Sequence, residues 1–332
     1  MANTEGLIKR VIGVIGLVTS PGIDFLKEKR YTVLHNVTPD NKWLEETYKC
    51  ASGMLVKGSP GIPSRKNSSL ELLKSAPNLK VISLHGVGYS WDLLEDCNDL
   101  KIWLAIPAIA NYIAVTEHTF ALMLSITRRI PYFDKRTREN DWEVSESAGG
   151  YDLYGKTLGL IGMGRIGGEV GRRAAECFGM KVIGYDPFIE KDKILSCIEQ
   201  VQEVDDIFKR ADIVSLHVNY TPEYDKFVNA EKFKMMKPTA FFINTARGGL
   251  VDEDALYEAL STKAIQGAAV DVLREEAPKT PSRLCTLDNF IITPHSAALT
   301  KETRDQSGLH AAMNIHSVFT EGKPIWPVNN IN

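Results

Sequence analysis

"KTLGLIGMGRIGGEVGRRAAECFGMKVIGYD", residues 156–186, decides the fold. Residues 157–161 read as a buried strand, and Gly162-Met163-Gly164-Arg165-Ile166-Gly167 follows at once. A helix then carries Ile166, Val170, Ala174 and Phe178 on one face. A second strand ends at Asp186, 19 residues after Gly167. A lone GxGxxG is weak, but the flanking strand and helix and the acid at this distance together form a dinucleotide-binding pattern. Gly162 permits the tight turn, Gly164 lets the backbone approach a pyrophosphate, and Gly167 lets the helix pack on the strand. The helix N-terminus, with the backbone of Arg165 and Ile166, offers N–H groups and a positive dipole end to phosphates. Asp186 can accept from both adenosine ribose hydroxyls and would repel a 2′-phosphate, so NAD is expected over NADP.

The same alternation of short apolar strands and helical stretches runs through the chain, an α/β pattern with parallel sheets. Residues 11–18, 54–58 and 79–86 read as strands of a first set, with a Ser/Pro/Gly-rich loop and a helix around 68–76 between the last two. Residues 107–130 read as one long helix buried between layers, with Ile113, Phe120 and Leu124 among its apolar positions. A polar surface excursion follows over 134–150. The second set of strands is 157–161, 181–185, 212–218, 239–245, 267–272 and 290–293, six in all, and a last helix spans about 301–320.

Composition sets the bounds. The chain has 332 residues, enough for two domains, with 44% hydrophobic and 24% charged residues, the profile of a soluble globular protein. A net charge of −3 gives no basic excess for nucleic acid or an anionic membrane. The five cysteines lie far apart without a CxxC pair, so neither zinc nor a disulfide framework is indicated and a cytoplasmic location is expected. "LIKRVIGVIGLV" resembles a weak signal peptide, but its apolar run is only about eight residues and no small-residue cleavage site follows. It reads as a buried first strand. No apolar run approaches the roughly 20 residues of a membrane helix.

Ligands bind at the carboxyl ends of strands in an open parallel sheet. In the second set those ends carry the glycine turn, Asp186, His217 with Thr221, Arg247 with Gly248-Gly249, Asp271 with Glu275 and Glu276, and Pro294-His295. Arg247 offers a planar fork of donors suited to a carboxylate, and its glycine pair suggests a tight turn that something approaches. His295 can move a proton near neutral pH. His217 reads equally as pocket lining or as a structural histidine.

The chain resembles the D-isomer-specific 2-hydroxyacid dehydrogenase family over nearly its whole length. The resemblance rests on "APNLKVISLHGVG", "AVTEHTFALML", "GKTLGLIGMGRIG", "ADIVSLHV", "MKP", "INTARGGLVDEDALYEAL", "GAAVDV" and "TPH". It implies two Rossmann-like doubly wound parallel-sheet domains with a cleft between them. Residues 1–107 plus 300–332 would form a discontinuous, flavodoxin-like substrate domain, and 108–299 the NAD-binding domain. It implies Arg247 and His295 as catalytic residues, and Glu276, five residues after Asp271, as the acid that orients His295. Thr245, Ala246 and Asp271 would lie against the nicotinamide. The amides of Gly86, Val87 and Gly88 would hold the substrate carboxylate, with Lys57 as a further substrate residue.

The implied reaction interconverts a 2-oxo acid and a D-2-hydroxy acid with NAD, by a homodimer joined through the NAD-binding domain. Two alternatives share the scaffold: an NADH-sensing corepressor-like binding protein, and a formate- or phosphonate-type dehydrogenase. Departures cluster on the substrate side. Ser90 and Trp91 interrupt the usual substrate loop, Pro107 is followed by Ala108, Asn219 stands where Pro is usual, and Gly58 follows Lys57. Ala277 stands between Glu276 and Pro278, where the family has Pro directly after the acid.

Overall fold

A computed structural model describes residues 10–57, 69–143 and 149–331. The start of the "LIKRV" segment, Gly58 with the Ser/Pro/Gly-rich loop, and residues 144–148 of the polar stretch lie outside the described residues. The chain forms two compact units, Met1–Asn111 with Leu299–Asn332, and Tyr112–Ala298.

The first unit runs β1 (Val11–Ile15), α1 (Ser20–Glu28), β2 (Thr32–Asn36), α2 (Asn41–Cys50), β3 (Gly53–Val56), α3 (Ser69–Lys74), β4 (Val81–Leu84), α4 (Trp91–Asp99) and β5 (Trp103–Ala105). Its sheet is parallel in the order β2-β1-β3-β4-β5, a flavodoxin-like arrangement. The strand order reverses between β1 and β3. There Gly16, at φ +85°, brings the chain so close that an added Cβ would lie 2.8 Å from the Lys57 carbonyl oxygen. Buried Ile12, Val14, Leu55 and Val81 form one core face with residues of the chain's last helix, and Ile15, Met54, Val56 and Ile82 form the other.

The second unit opens with α5 (Tyr112–Thr127) and α6 (Ile130–Arg138). It continues β6 (Thr157–Ile161), α7 (Arg165–Phe178), β7 (Lys181–Tyr185), β8 (Ile198–Gln200), α8 (Val204–Arg210), β9 (Ile213–Leu216), α9 (Ala230–Met235), β10 (Phe241–Asn244), α10 (Glu253–Ser261), β11 (Gly267–Val270) and β12 (Phe290–Ile292). The last helix, α11 (Lys301–Glu321), belongs to the first unit. The seven strands are parallel in the order β12-β11-β10-β9-β6-β7-β8, so the switch point lies between β6 and β9. β9, β10 and β11 are wholly buried, which is why they read as continuous apolar runs instead of alternating.

Several sequence expectations are corrected. The 107–130 segment is not one helix. α5 starts at Tyr112, Arg129 turns left-handed at φ 53°, and Pro131 in the first turn of α6 begins a new helix, since proline cannot continue the old one. Ile113, assigned to a buried face, is 37% exposed, whereas Phe120 is buried and stacks on Phe178 at 4.9 Å. Residues 134–138 are the end of α6 and not irregular surface chain. The second sheet has seven strands instead of six, because β8 pairs with β7 through three residues only. β2 and β5 were likewise not predicted. Both are edge strands, β2 only partly buried and β5 three residues long, too weak a pattern to announce a strand. Among the described residues no helix is long and apolar enough to cross a membrane.

Candidate active site

The glycine turn after β6 is held by backbone proximity. A Cβ on Gly162, whose φ is +93°, would lie 2.6 Å from the His217 carbonyl oxygen, and one on Gly167 would lie 2.0 Å from the Gly162 carbonyl oxygen. Gly164 meets nothing within 4 Å, so the backbone there is open to a ligand. It is also the N-cap of α7, whose buried face is Gly167, Val170, Gly171 and Ala174. Arg165 and Ile166 form the first turn. This open, N–H-bearing cradle fits a pyrophosphate. The Asp186 carboxylate accepts from Met163 N at 2.9 Å and Phe188 N at 3.0 Å, which ties the end of β7 to the cradle. Each oxygen keeps further acceptor capacity.

His217, after β9, bonds through Nε2 to Ser215 Oγ at 2.9 Å. Burial pushes its pKa down to about 3, so it is neutral near pH 7. Thr221 stands at the N-cap of the turn Pro222–Tyr224.

β10 ends in a turn clamped by Asn244, whose Nδ2 donates to Arg247 O at 3.0 Å and whose Oδ1 accepts from Ala246 N at 2.9 Å. Thr245 and Ala246 are buried, and Arg247 is half-buried with its Nη1 2.7 Å from Ala246 O. The glycine pair is explained by the protein itself. A Cβ on Gly248 would lie 1.9 Å from Leu273 C, and one on Gly249 would lie 2.6 Å from the Tyr220 ring.

His295 Nδ1 and Glu276 Oε1 are 2.6 Å apart, so the imidazole engages the acid through Nδ1 and keeps Nε2 for other work. Their side chains are 42% and 37% exposed. Glu275 is exposed and makes no hydrogen bond or ion pair with any described residue. The unusual Ala277 takes a left-handed conformation, φ 54°, which absorbs the extra residue before Pro278. Upstream, Arg274 N donates to Glu253 Oε1 at 2.7 Å, anchoring the same loop to α10.

His295 is itself left-handed, φ 52°, a conformation rare outside glycine. Asp271 holds it there. The Asp271 carbonyl accepts from His295 N at 2.8 Å, and its carboxylate accepts from Ser296 N and Ala297 N, each at 2.9 Å. Burial alone would raise the Asp271 carboxyl. Hydrogen bonds from His118, Thr293, Ala297 and Ser296 more than offset that, so it lies below its ordinary range and stays charged at 1% exposure. Register explains how these residues meet: Asn244 pairs with Val270 and Val270 with Ile292, so Arg247, Asp271 and His295 follow three adjacent strand ends.

Lys57 and Gly86–Gly88 belong to the first unit, at the ends of β3 and β4. Gly86 is exposed with open space where a Cβ would stand. Burial, then the Arg304 charge, lowers the Lys57 ammonium. His85 between them is pushed down to about 4 by burial and the nearby Lys57 charge, and is neutral near pH 7. Sequence reasoning missed Asn244, Glu253, His118 and Thr119. The signal available was a polar residue closing an apolar strand ("FFIN") or standing in an apolar helix ("TEHTF").

The fold and these strand-end residues define a nicotinamide-dinucleotide dehydrogenase architecture. Residues 120–297 match the family model described as D-isomer specific 2-hydroxyacid dehydrogenase, NAD binding domain. A D-3-phosphoglycerate dehydrogenase of Methanocaldococcus jannaschii is 42% identical over 250 residues, 75% of this chain and 47% of that protein. A glyoxylate reductase of Thermofilum pendens is 33% identical over 95% of this chain and 93% of its own. A solved structure of a Thermus thermophilus protein superposes with a TM-score of 0.84 at 31% identity, covering 96% of this chain and 100% of that one. The chain therefore belongs to the D-isomer specific 2-hydroxyacid dehydrogenase family. It spans about half the length of the D-3-phosphoglycerate dehydrogenases it matches.

Proposed function

We propose that the protein is an NAD-dependent oxidoreductase that interconverts a 2-oxo acid and the corresponding D-2-hydroxy acid. The observation that carries this is the Nδ1–Glu276 bond of His295 on the sheet edge that also bears the glycine cradle. Residues 112–298 take the role of cofactor unit, and the remainder that of substrate unit. NADH, when bound, supplies the hydride. Gly162, Gly164 and Gly167, with the first turn of α7, hold its pyrophosphate, and Asp186 takes the ribose hydroxyls and disfavours a 2′-phosphate. Thr245, Ala246 and Asp271 border the nicotinamide.

Arg247 binds the substrate carboxylate and polarises the carbonyl; in the first unit the 86–88 amides are assigned to the same carboxylate, and Lys57 is assigned as a further substrate residue. His295 Nε2 delivers a proton to the oxygen as the hydride reaches C2, so the carbonyl gains one hydride and one proton. Glu276 accepts from Nδ1–H, fixing the ring and leaving the transferable proton on Nε2. In the oxidation direction the same Nε2 accepts the proton from the hydroxyl. A homodimer through the cofactor unit and a cytoplasmic setting, with all five cysteines free, complete the proposal.

The test is loss of NADH absorbance with a panel of 2-oxo acids, and gain of NADH absorbance with formate or phosphonate plus NAD, which would favour a formate- or phosphonate-type dehydrogenase instead. Turnover of a 2-oxo acid to the D-isomer supports the proposal. Tight NADH binding without turnover of any acid overturns it in favour of a cofactor-sensing protein.

A further inference from the structure

We propose that two consecutive residues of α5, His118 and Thr119, brace the turns that carry His295 and Arg247, so that one helix sets the placement of both catalytic side chains. The proposal rests on the roles assigned to Arg247 and His295 above.

His118 Nε2 lies 2.9 Å from Thr293 Oγ1 and 3.4 Å from Asp271 Oδ1. Thr293 Oγ1 donates its single proton to Asp271 Oδ1, at 2.5 Å. The threonine can then only accept from the histidine, so His118 carries a proton on Nε2. The chain of donation runs from His118 to Thr293 to Asp271, and Asp271 in turn accepts the amides that hold His295 left-handed. The next residue works the same way on the neighbouring strand. Thr119 Oγ1 donates to Val115 O at 2.8 Å, so at its 3.0 Å contact with Thr245 Oγ1 it is the acceptor. Thr245 begins the turn that Asn244 closes onto Arg247.

Thr119, Thr245 and Asp271 are all buried. Removing a partner strands a polar group without water to replace it. The brace is stiff because α5 packs directly on β10, β11 and β12. Thr119 reaches the turn after β10, and His118 the segment after β12 together with Asp271 at the end of β11. A misplacement of about 1 Å at such a site costs on the order of 100-fold in rate.

The test compares His118→Leu and Thr119→Val with the conservative His118→Gln and Thr119→Ser, with His295→Gln in parallel. Steady-state constants, the isotope effect of NADH deuterated at the transferred position, and amide exchange over 293–298 are measured on the full chain. For His118→Leu the expected result is a fall in kcat of roughly tenfold, a larger isotope effect, faster exchange at 296–297 and a KM for NADH unchanged within about twofold. His118→Gln, whose amide can donate to Thr293, should restore kcat to within about threefold. Thr119→Val should raise KM for the 2-oxo acid about tenfold, since Arg247 holds its carboxylate. Should His118→Leu fail to fold, Thr293→Ala against Thr293→Ser reads the same link. Unchanged exchange and isotope effect, with kcat lost only in proportion to NADH-binding sites, overturns the brace. Normal turnover by His295→Gln overturns the assigned role of His295 instead, and the exchange data then judge the brace alone.

Discussion

Glu276→Gln tests which of two adjacent acids serves His295. The Glu276–His295 contact is 2.6 Å, and Gln keeps an oxygen that can accept from Nδ1–H. The variant therefore loses the charge but not the bond. A hydrogen bond to an ionised group contributes about 1.5–3 kcal/mol, against roughly 1 for a neutral pair. The difference is about 0.5–2 kcal/mol, and with the two side chains 42% and 37% exposed, water competes and holds it to the lower half, about 1 kcal/mol. At about 1.4 kcal/mol per factor of ten, kcat/KM for the 2-oxo acid should fall roughly fivefold. Glu275, exposed and without a partner among the described residues, predicts a change of less than about twofold for Glu275→Gln. The assay is NADH oxidation across pH 5–9 for both variants. A loss in Glu275→Gln with none in Glu276→Gln would refute the assignment.

Three further outcomes follow from particular contacts. Gly248→Ala places a Cβ 1.9 Å from Leu273 C, forcing backbone apart, and should cost about 3 kcal/mol, roughly 6–12 °C in Tm by calorimetry. Asp186→Asn removes the charge set against a 2′-phosphate while keeping an acceptor for Met163 N. The NADPH-to-NADH ratio of kcat/KM should rise about 100-fold, and an unchanged ratio would place cofactor choice elsewhere. His217 has a folded pKa of about 3, below its unfolded value, so the unfolded chain binds more protons between those values and stability is lost as the pH is lowered through that window. From pH 7 to 5 the loss is about 2 kcal/mol. Denaturation of His217→Gln should show a correspondingly flatter pH dependence.

The glycine cradle and the strand-end residues were legible because each is a local pattern: a buried strand, then a turn with fixed chemistry. Glu276 was singled out through the family resemblance, by its place five residues after Asp271, and the left-handed Ala277 beside it could not be foreseen from the sequence. What stayed hidden depends on pairings far apart in sequence. β8 and β5 are three residues each and exist because a neighbouring strand is there to pair with. Gly248 and Gly249 suggested room for a ligand, yet Leu273 and Tyr220 fill the space, and nothing local announces contacts so distant along the chain. His118 and Thr119 looked like polar interruptions of an apolar helix. Their partners at Thr293 and Thr245 lie 175 and 126 residues away.

In the proposed reaction His295 moves the proton that accompanies the hydride. The most direct measurement of that role is turnover of the best 2-oxo acid by His295→Gln, with NADH affinity measured by fluorescence on the same sample. Proton transfer by His295 requires a loss in kcat of at least about 100-fold with NADH affinity unchanged, in line with the usual contribution of a general acid. Near-normal kcat in that variant would contradict it.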